Sequence, residues 1–249
     1  LIFYSAGVKI SGFLSKFVTS NFYTPYSFGE ILSKLKSMKR KIGVLFDLDG
    51  VLVDSEGEYS NFWGPMGRRF NVGGETFAAD IKGTTLSEIL QPFPEEAREG
   101  IVDELHTYEQ NMKYPWIAGV EAFLARLREL EIPFAVVTSS DDVKMGYLFA
   151  AHPDLRRMLS GLVTGSMVKR SKPDPEGYLT GAQLIGVPIE DCYVFEDSLQ
   201  GLQAGMSSGA TVIGLATTNS RSRLKGKAHK IIDDFAGFTV EDMLDVNRG

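Results

Sequence analysis

Cysteine is nearly missing from this chain: Cys192 is the only one in 249 residues, so no intrachain disulfide can form. That suits a reducing compartment, and Cys192 itself reads as a small buried strand residue. Histidine is scarce too. His106, His152 and His229 are scattered, with no Cys or His neighbours at zinc-ligand spacing, and all three read as structural. No run of about 18 apolar residues occurs, so no membrane-spanning helix is expected. Net positive charge is also lacking. At −6, with no basic tract, the chain has no electrostatic footprint for nucleic acid, and an anionic ligand must be met by one or two basic residues acting locally.

Acidic residues are missing from Leu1 to Gly29. Residues 1–40 are therefore set apart as an N-terminal extension: a transit peptide, an amphipathic anchor, or a tail ahead of a start at Met38. The expected location is cytoplasmic, or an organelle if that segment is a transit peptide. A monomer is the simplest assumption.

What is present is an ordinary folded composition, 43% hydrophobic and 23% charged. From Lys41 onward, short apolar runs alternate with amphipathic stretches. Ile42 to Phe46, Phe134 to Val137 and Cys192 to Phe195 are continuous apolar runs, as strands buried on both faces of a parallel sheet require. Gly161 to Thr164, Thr211 to Leu215 and Lys230 to Asp233 are weaker strand candidates. Val120, Phe123, Leu124, Leu127 and Leu130 form one helical face. Asp174 as N-cap, Pro175 at the first helical position and Gly186 past the end delimit another helix. Such alternation predicts a doubly wound, Rossmann-like α/β domain with its ligand beyond the carboxyl ends of the strands.

Residues 55–117 break the pattern. Tyr59, Phe62, Trp63, Met66 and Phe70, then Ala97, Ile101, Leu105, Tyr108 and Met112, recur at helical spacing with no strand between them. Pro65, Pro92, Pro94 and Pro115 punctuate the interval. It reads as a small all-helical cap inserted after the first strand, with the core formed by residues 41–54 and 118–249.

Three predicted strands end in polar groups that a buried sheet has no structural need for: Asp47 and Asp49, Thr138 and Ser139, Glu196 and Asp197. Lys172 sits in a proline-rich turn ahead of a helix. Four carboxylates converging without countercharge would repel and resist desolvation, so a hard divalent cation is expected among them; oxygen-only ligands select magnesium over zinc. Lys172 then calls for an anion, and a phosphoryl group shared with the metal supplies one. Two bland alternatives fail. In a calcium loop, Gly50 would follow too early. A serine-hydrolase elbow at Gly205 to Gly209 would need the reverse strand and helix order.

The ordered set Asp47-Leu48-Asp49-Gly50-Val51, Thr138, Lys172-Pro173 and Glu196-Asp197-Ser198, followed by Gly201, Ala204, Gly205 and Gly209, resembles the haloacid dehalogenase-like hydrolase superfamily. The resemblance is to its branch of β-phosphoglucomutases and sugar-phosphate phosphatases, and it covers about Lys41 to Leu215. It implies Asp47 as nucleophile, forming an aspartyl-phosphate, and Asp49 as acid and base. It further implies Mg2+ on Asp47, Asp197 and the Asp49 carbonyl, supported by Glu196, and a phosphate cradle of Thr138, Ser139 and Lys172. Lys82 and Gly83 would face the substrate from the cap; Arg68 and Arg69 are weaker candidates. Mutases of that branch carry a histidine and an arginine where this chain has Tyr59 and Leu86. The loss of the arginine favours hydrolysis of a small phosphorylated metabolite, by default a sugar phosphate, over a phosphosugar mutase. A binding protein that keeps the fold without turnover is the remaining reading.

Overall fold

The computed structural model describes residues 41–246, so the N-terminal extension lies outside the described residues. Among the described residues, six strands form one parallel sheet: β1 (Gly43–Phe46), β2 (Phe134–Val137), β3 (Gly161–Val163), β4 (Cys192–Glu196), β5 (Thr211–Leu215) and β6 (Lys230–Ile232). Their order is β3-β2-β1-β4-β5-β6, with every neighbouring pair parallel. Every residue of β1, β2, β4 and β5 is buried, the physical counterpart of their uninterrupted apolar sequence. The third and sixth strands each stop one residue short of expectation, at Val163 and Ile232.

Helices pack on both faces. Successive residues of a strand point to opposite faces, and β1 shows the result. Leu45 joins Ala135, Val137, Tyr178, Ala182 and Val194 in an aliphatic cluster. Phe46 joins an aromatic one: its ring stacks on Phe195 at 5.1 Å and meets Phe123 and Phe134 edge-on at 6.2 and 6.0 Å. The helix expected from Pro175 begins one residue later, at Glu176, and runs to Ile185. Asp174 still accepts from the Glu176 N–H at 2.9 Å, and Gly186 closes the helix in the left-handed region.

Between β1 and β2 lie α1 (Glu56–Phe70), α2 (Phe77–Asp80), α3 (Leu86–Ile89), α4 (Glu95–Asn111) and α5 (Val120–Glu129), the first four forming the helical cap. The cap has its own core, in which Phe62, Trp63, Met66, Phe77, Phe93, Ile101 and Leu105 are buried together. Pro65 does not punctuate this region as expected, because it lies inside α1, where burial of Phe62, Trp63 and Met66 on one face holds the helix through it. The two chain crossings to the cap run side by side, with Asp54 N–H on the Pro115 carbonyl at 2.9 Å and Ile117 N–H on that of Leu52 at 2.9 Å. No helix among the described residues is long and apolar enough to cross a membrane.

Phe46 is the most telling position in the core. Replacing it with alanine should lower the unfolding free energy by about 3–5 kcal/mol, read by urea denaturation, whereas Phe46→Leu should lose less than half of that.

Candidate active site

β1 and β4 are neighbours at the centre of the sheet, where the strand order turns, and their carboxyl ends deliver Asp47, Glu196 and Asp197 to one place. One oxygen from each of the three lies within 4.8 Å of the others. Lys172, brought in by the turn before α8 (Glu176–Ile185), stands among them. Its Nζ is 2.8 Å from Asp47 Oδ1 and 2.6 Å from Glu196 Oε1. All four groups are buried, Asp47 and Lys172 to within 6% and 7% exposure. Burial opposes the charge on Lys172, but Asp47 and Glu196 outweigh it and hold the ammonium above its ordinary pKa. Burial dominates at Asp47 and pushes its pKa from 3.8 up to about 7, against the pull of Lys172.

Glu196, expected as a metal support, lies in this acidic cluster with both of its oxygens engaged by the protein. Its Oε1 accepts from Lys172 and from the Tyr178 hydroxyl at 2.8 Å; its Oε2 accepts from the N–H groups of Asp197 and Ser198 and the Ser198 hydroxyl, each at 3.0 Å. It thereby fixes both Lys172 and the loop that carries Asp197. A Cβ on Gly201 would lie 1.7 Å from Glu196 Oε1, which is why glycine stands in the first turn of the following helix, α9 (Leu199–Ser208), beside this carboxylate.

Asp197 is the opposite case. It is 1% exposed, and neither carboxylate oxygen is held by a well-formed hydrogen bond, although the Thr218 hydroxyl lies close enough to favour its charge. Burial, then the carboxylates of Glu196, Glu56 and Asp47, push its pKa well above the ordinary range. Such a carboxylate beside two others fits a cation, and the all-oxygen donor set fits a hard divalent one held by Asp47 and Asp197. Gly50, at φ +72°, leaves room for it: a Cβ there would sit 2.1 Å from Asp197 Oδ2.

The remaining predicted residues line an adjoining cleft: Asp49, Lys82, Gly83, Thr138 and Ser139, together with Glu56, Tyr59, Leu86, Ser140 and Lys144. Asp49 is gripped by the hydroxyls of Ser55 and Ser140 and by Lys144 Nζ at 2.5 Å. The Ser139 hydroxyl donates to the Gly83 carbonyl at 2.7 Å and so ties core to cap. Thr138 Oγ1 accepts from the Ser140 N–H at 3.0 Å. Lys82 pairs with Glu56 at 2.7 Å. Arg68 and Arg69 are not part of the cleft, and Arg69 pairs with exposed Glu104 instead.

The sequence profile of the haloacid dehalogenase-like hydrolases matches residues 44–215, which contain every one of these groups. This chain belongs to that family. Its relatives include hexitol phosphatase A of Escherichia coli (strain K12), 32% identical over 194 residues covering 73% of this chain and 86% of that protein. Glycerol-1-phosphate phosphohydrolase 2 of Saccharomyces cerevisiae is 29% identical over 201 residues, covering 76% and 80%. A hydrolase structure of family IA, variant 3, from Entamoeba histolytica shares the fold at a TM-score of 0.71, with 24% identity over 82% of this chain and 98% of that one. The chain is a phosphoric monoester hydrolase of the family, in its sugar-phosphate phosphatase-like branch.

Lys144 is the group in this hydrolase that sequence reasoning missed. It is 2% exposed, and its Nζ also donates to Ser140 at 2.9 Å and lies 4.3 Å from the centre of the Tyr59 ring. A signal was present: Lys144 shares the buried face of α6 (Asp142–Ala151) with Met145 and Leu148, a place where a lysine needs a partner.

Two outcomes follow. Lys172→Met leaves Asp47 and Glu196 without their countercharge and should cost about 3–5 kcal/mol of stability in denaturant unfolding. The second concerns pH. In the metal-free fold Asp47 keeps its proton up to about pH 7, while the unfolded chain loses it near 3.8, so stability falls as pH rises between those values. A divalent cation held by Asp47 and Asp197 would replace that proton. Its addition should therefore raise the Tm more at pH 8 than at pH 5, and Asp197→Asn should erase most of the difference.

Proposed function

We propose that this hydrolase is a Mg2+-dependent phosphatase that cleaves the monophosphate of a small, otherwise uncharged sugar or polyol through an aspartyl-phosphate on Asp47. The observation that carries the reading is the buried Asp197 carboxylate, without a well-formed hydrogen bond, beside an Asp47 already gripped by a lysine. Three carboxylates facing one ammonium leave two negative charges, which a divalent cation offsets.

Asp47 attacks phosphorus in line, and the chemistry divides into formation and hydrolysis of the acyl phosphate. Asp47 and Asp197 would hold Mg2+, which would supply charge neutralisation between nucleophile and phosphoryl oxygens. Lys172 binds a phosphoryl oxygen and is kept in position by Glu196 and Tyr178. Thr138 and the backbone of the Ser139 turn complete the cradle. Asp49, held by Ser55, Ser140 and Lys144, passes a proton to the leaving alkoxide and takes one from the incoming water. Lys82 and Gly83 border the leaving group from the cap.

The charge pattern of the cleft supports a neutral leaving group. Lys82 is matched by Glu56 and Lys144 by Asp49, and no arginine is among the described lining residues; Leu86, which by resemblance takes the position of the mutase arginine, lines the cleft instead. A hexitol phosphate and a glycerol phosphate, the substrates in the names of the two relatives above, are of this kind.

Incubation with a panel of phosphorylated metabolites and Mg2+ should release inorganic phosphate from sugar and polyol monophosphates without isomer formation. Asp47→Asn should lower kcat on the order of a thousandfold or more. Isomer formation that depends on a bisphosphate activator, with little free phosphate, would instead establish a mutase.

A further inference from the structure

His106, read from sequence as structural, stands in a second cluster of ligating side chains where the cap meets the core. His106 and Glu109 lie one turn apart on α4 of the cap, and Asp141 caps the N-terminus of α6 on the core. His106 Nε2 is 3.1 Å from Asp141 Oδ2, and an oxygen of Glu109 lies within 4.8 Å of both ligating atoms. The other two histidines have backbone partners, His152 on the Tyr114 carbonyl and His229 on the Val212 N–H.

Glu109 is the telling member. It is 3% exposed; Oε1 accepts from the Tyr59 hydroxyl at 2.8 Å, while Oε2 is buried with no partner. Lys144, whose charge is felt at Glu109, is engaged by Asp49. Leaving a buried carboxylate oxygen unsatisfied costs about 1–3 kcal/mol or more, so this carboxylate is built for a partner. We propose that His106, Glu109 and Asp141 bind a first-row divalent ion, with Zn2+ as the best fit, and that the bound ion fastens the cap to the core.

The donor set separates this site from the Asp47 centre. One imidazole with two carboxylates suits Zn2+, whereas the oxygen-only Asp47 centre suits a hard ion. Two ligands each about 2.1 Å from one ion are about 3.0–3.4 Å apart, the spacing that His106 and Asp141 already hold. Asp141 Oδ1 accepts from the Lys144 N–H at 2.9 Å, which orients the carboxylate and leaves Oδ2 for the ion. The side chains of His106 and Asp141 are 22% and 24% exposed, giving the ion a route of entry. Glu109 and Asp141 also border the substrate cleft, so a bound ion holds the cap closed over it.

The test is a calorimetric titration of Zn2+ into the full chain in millimolar Mg2+, for wild type, Asp197→Asn, His106→Ala and His106→Gln. Wild type and Asp197→Asn should each take up one zinc at this site, and both His106 variants should bind it at least about tenfold more weakly. X-ray absorption of the zinc-loaded protein should show one imidazole ligand. An unchanged metal-free Tm in His106→Gln separates ligand loss from misfolding. Zinc should slow phosphate release by wild type and spare both variants. Equal zinc affinity in wild type and His106→Gln would overturn the proposal. So would loss of uptake in Asp197→Asn, which would put the ion in the Asp47 centre, or no uptake by wild type at about 0.1 mM zinc.

Discussion

A single ammonium, that of Lys172, stands among the buried carboxylates of Asp47, Glu196 and Asp197, and the surrounding structure is arranged to tolerate that imbalance. The sheet brings the three acids together because β1 and β4 are central, parallel and in register, so their last residues leave the apolar layer at the same level. Burial makes the arrangement expensive, and each neighbour answers part of the expense. Tyr178 and two backbone N–H groups stabilise the Glu196 charge by hydrogen bonding; Gly201 and Gly50 withdraw side chains from the space the carboxylates occupy. Asp197 is left without a well-formed hydrogen bond, and in the proposed function that electrostatic liability becomes the binding site for a cation and, beside it, a phosphoryl group.

The cleft divides the work between two bodies of different composition. The end proposed to hold the phosphoryl group is all core: strand ends, the Thr138 turn and Lys172. The far end is a composite, with Glu56, Tyr59, Lys82 and Leu86 from the cap facing Ser140 and Lys144 from the core. Its charges are paired among themselves, so apolar and hydrogen-bonding contacts decide which leaving group fits. Core and cap are joined at the rim by a few polar contacts, Ser139 to Gly83 and Gln200 to the Asp80 carbonyl among them. Contacts of that kind can break and re-form, as admission of substrate beneath a cap requires.

The strand ends were legible because a strand buried on both faces reads as an apolar run, and a carboxylate ending such a run has no structural excuse. Asp47, Thr138 and Glu196-Asp197 were found that way, as was the helical insertion, whose aromatic stripes form a core of their own. Local chemistry alone misled at Pro65, where tertiary burial overrode a helix breaker. It was also blind to how groups pair across the chain. Glu196 is spent on Lys172 and backbone donors, the Ser139 hydroxyl on a cap carbonyl 56 residues away, and Lys144 on an aspartate 95 residues away. No spacing rule reaches that far. His106 is the same lesson in another form, since its partner Asp141 lies 35 residues on, across the boundary between cap and core.

The central claim is that Asp197 and Asp47 share a divalent cation beside the phosphoryl site of Lys172. A crystal structure grown with Mn2+ in place of Mg2+ and with a phosphate-mimicking vanadate tests it most directly, because Mn2+ is located by its anomalous signal. The account predicts one such ion within about 2.0–2.4 Å of an oxygen from each aspartate, with the Lys172 ammonium on a vanadate oxygen. An ion bound elsewhere, with both Asp197 oxygens still bare, would contradict it.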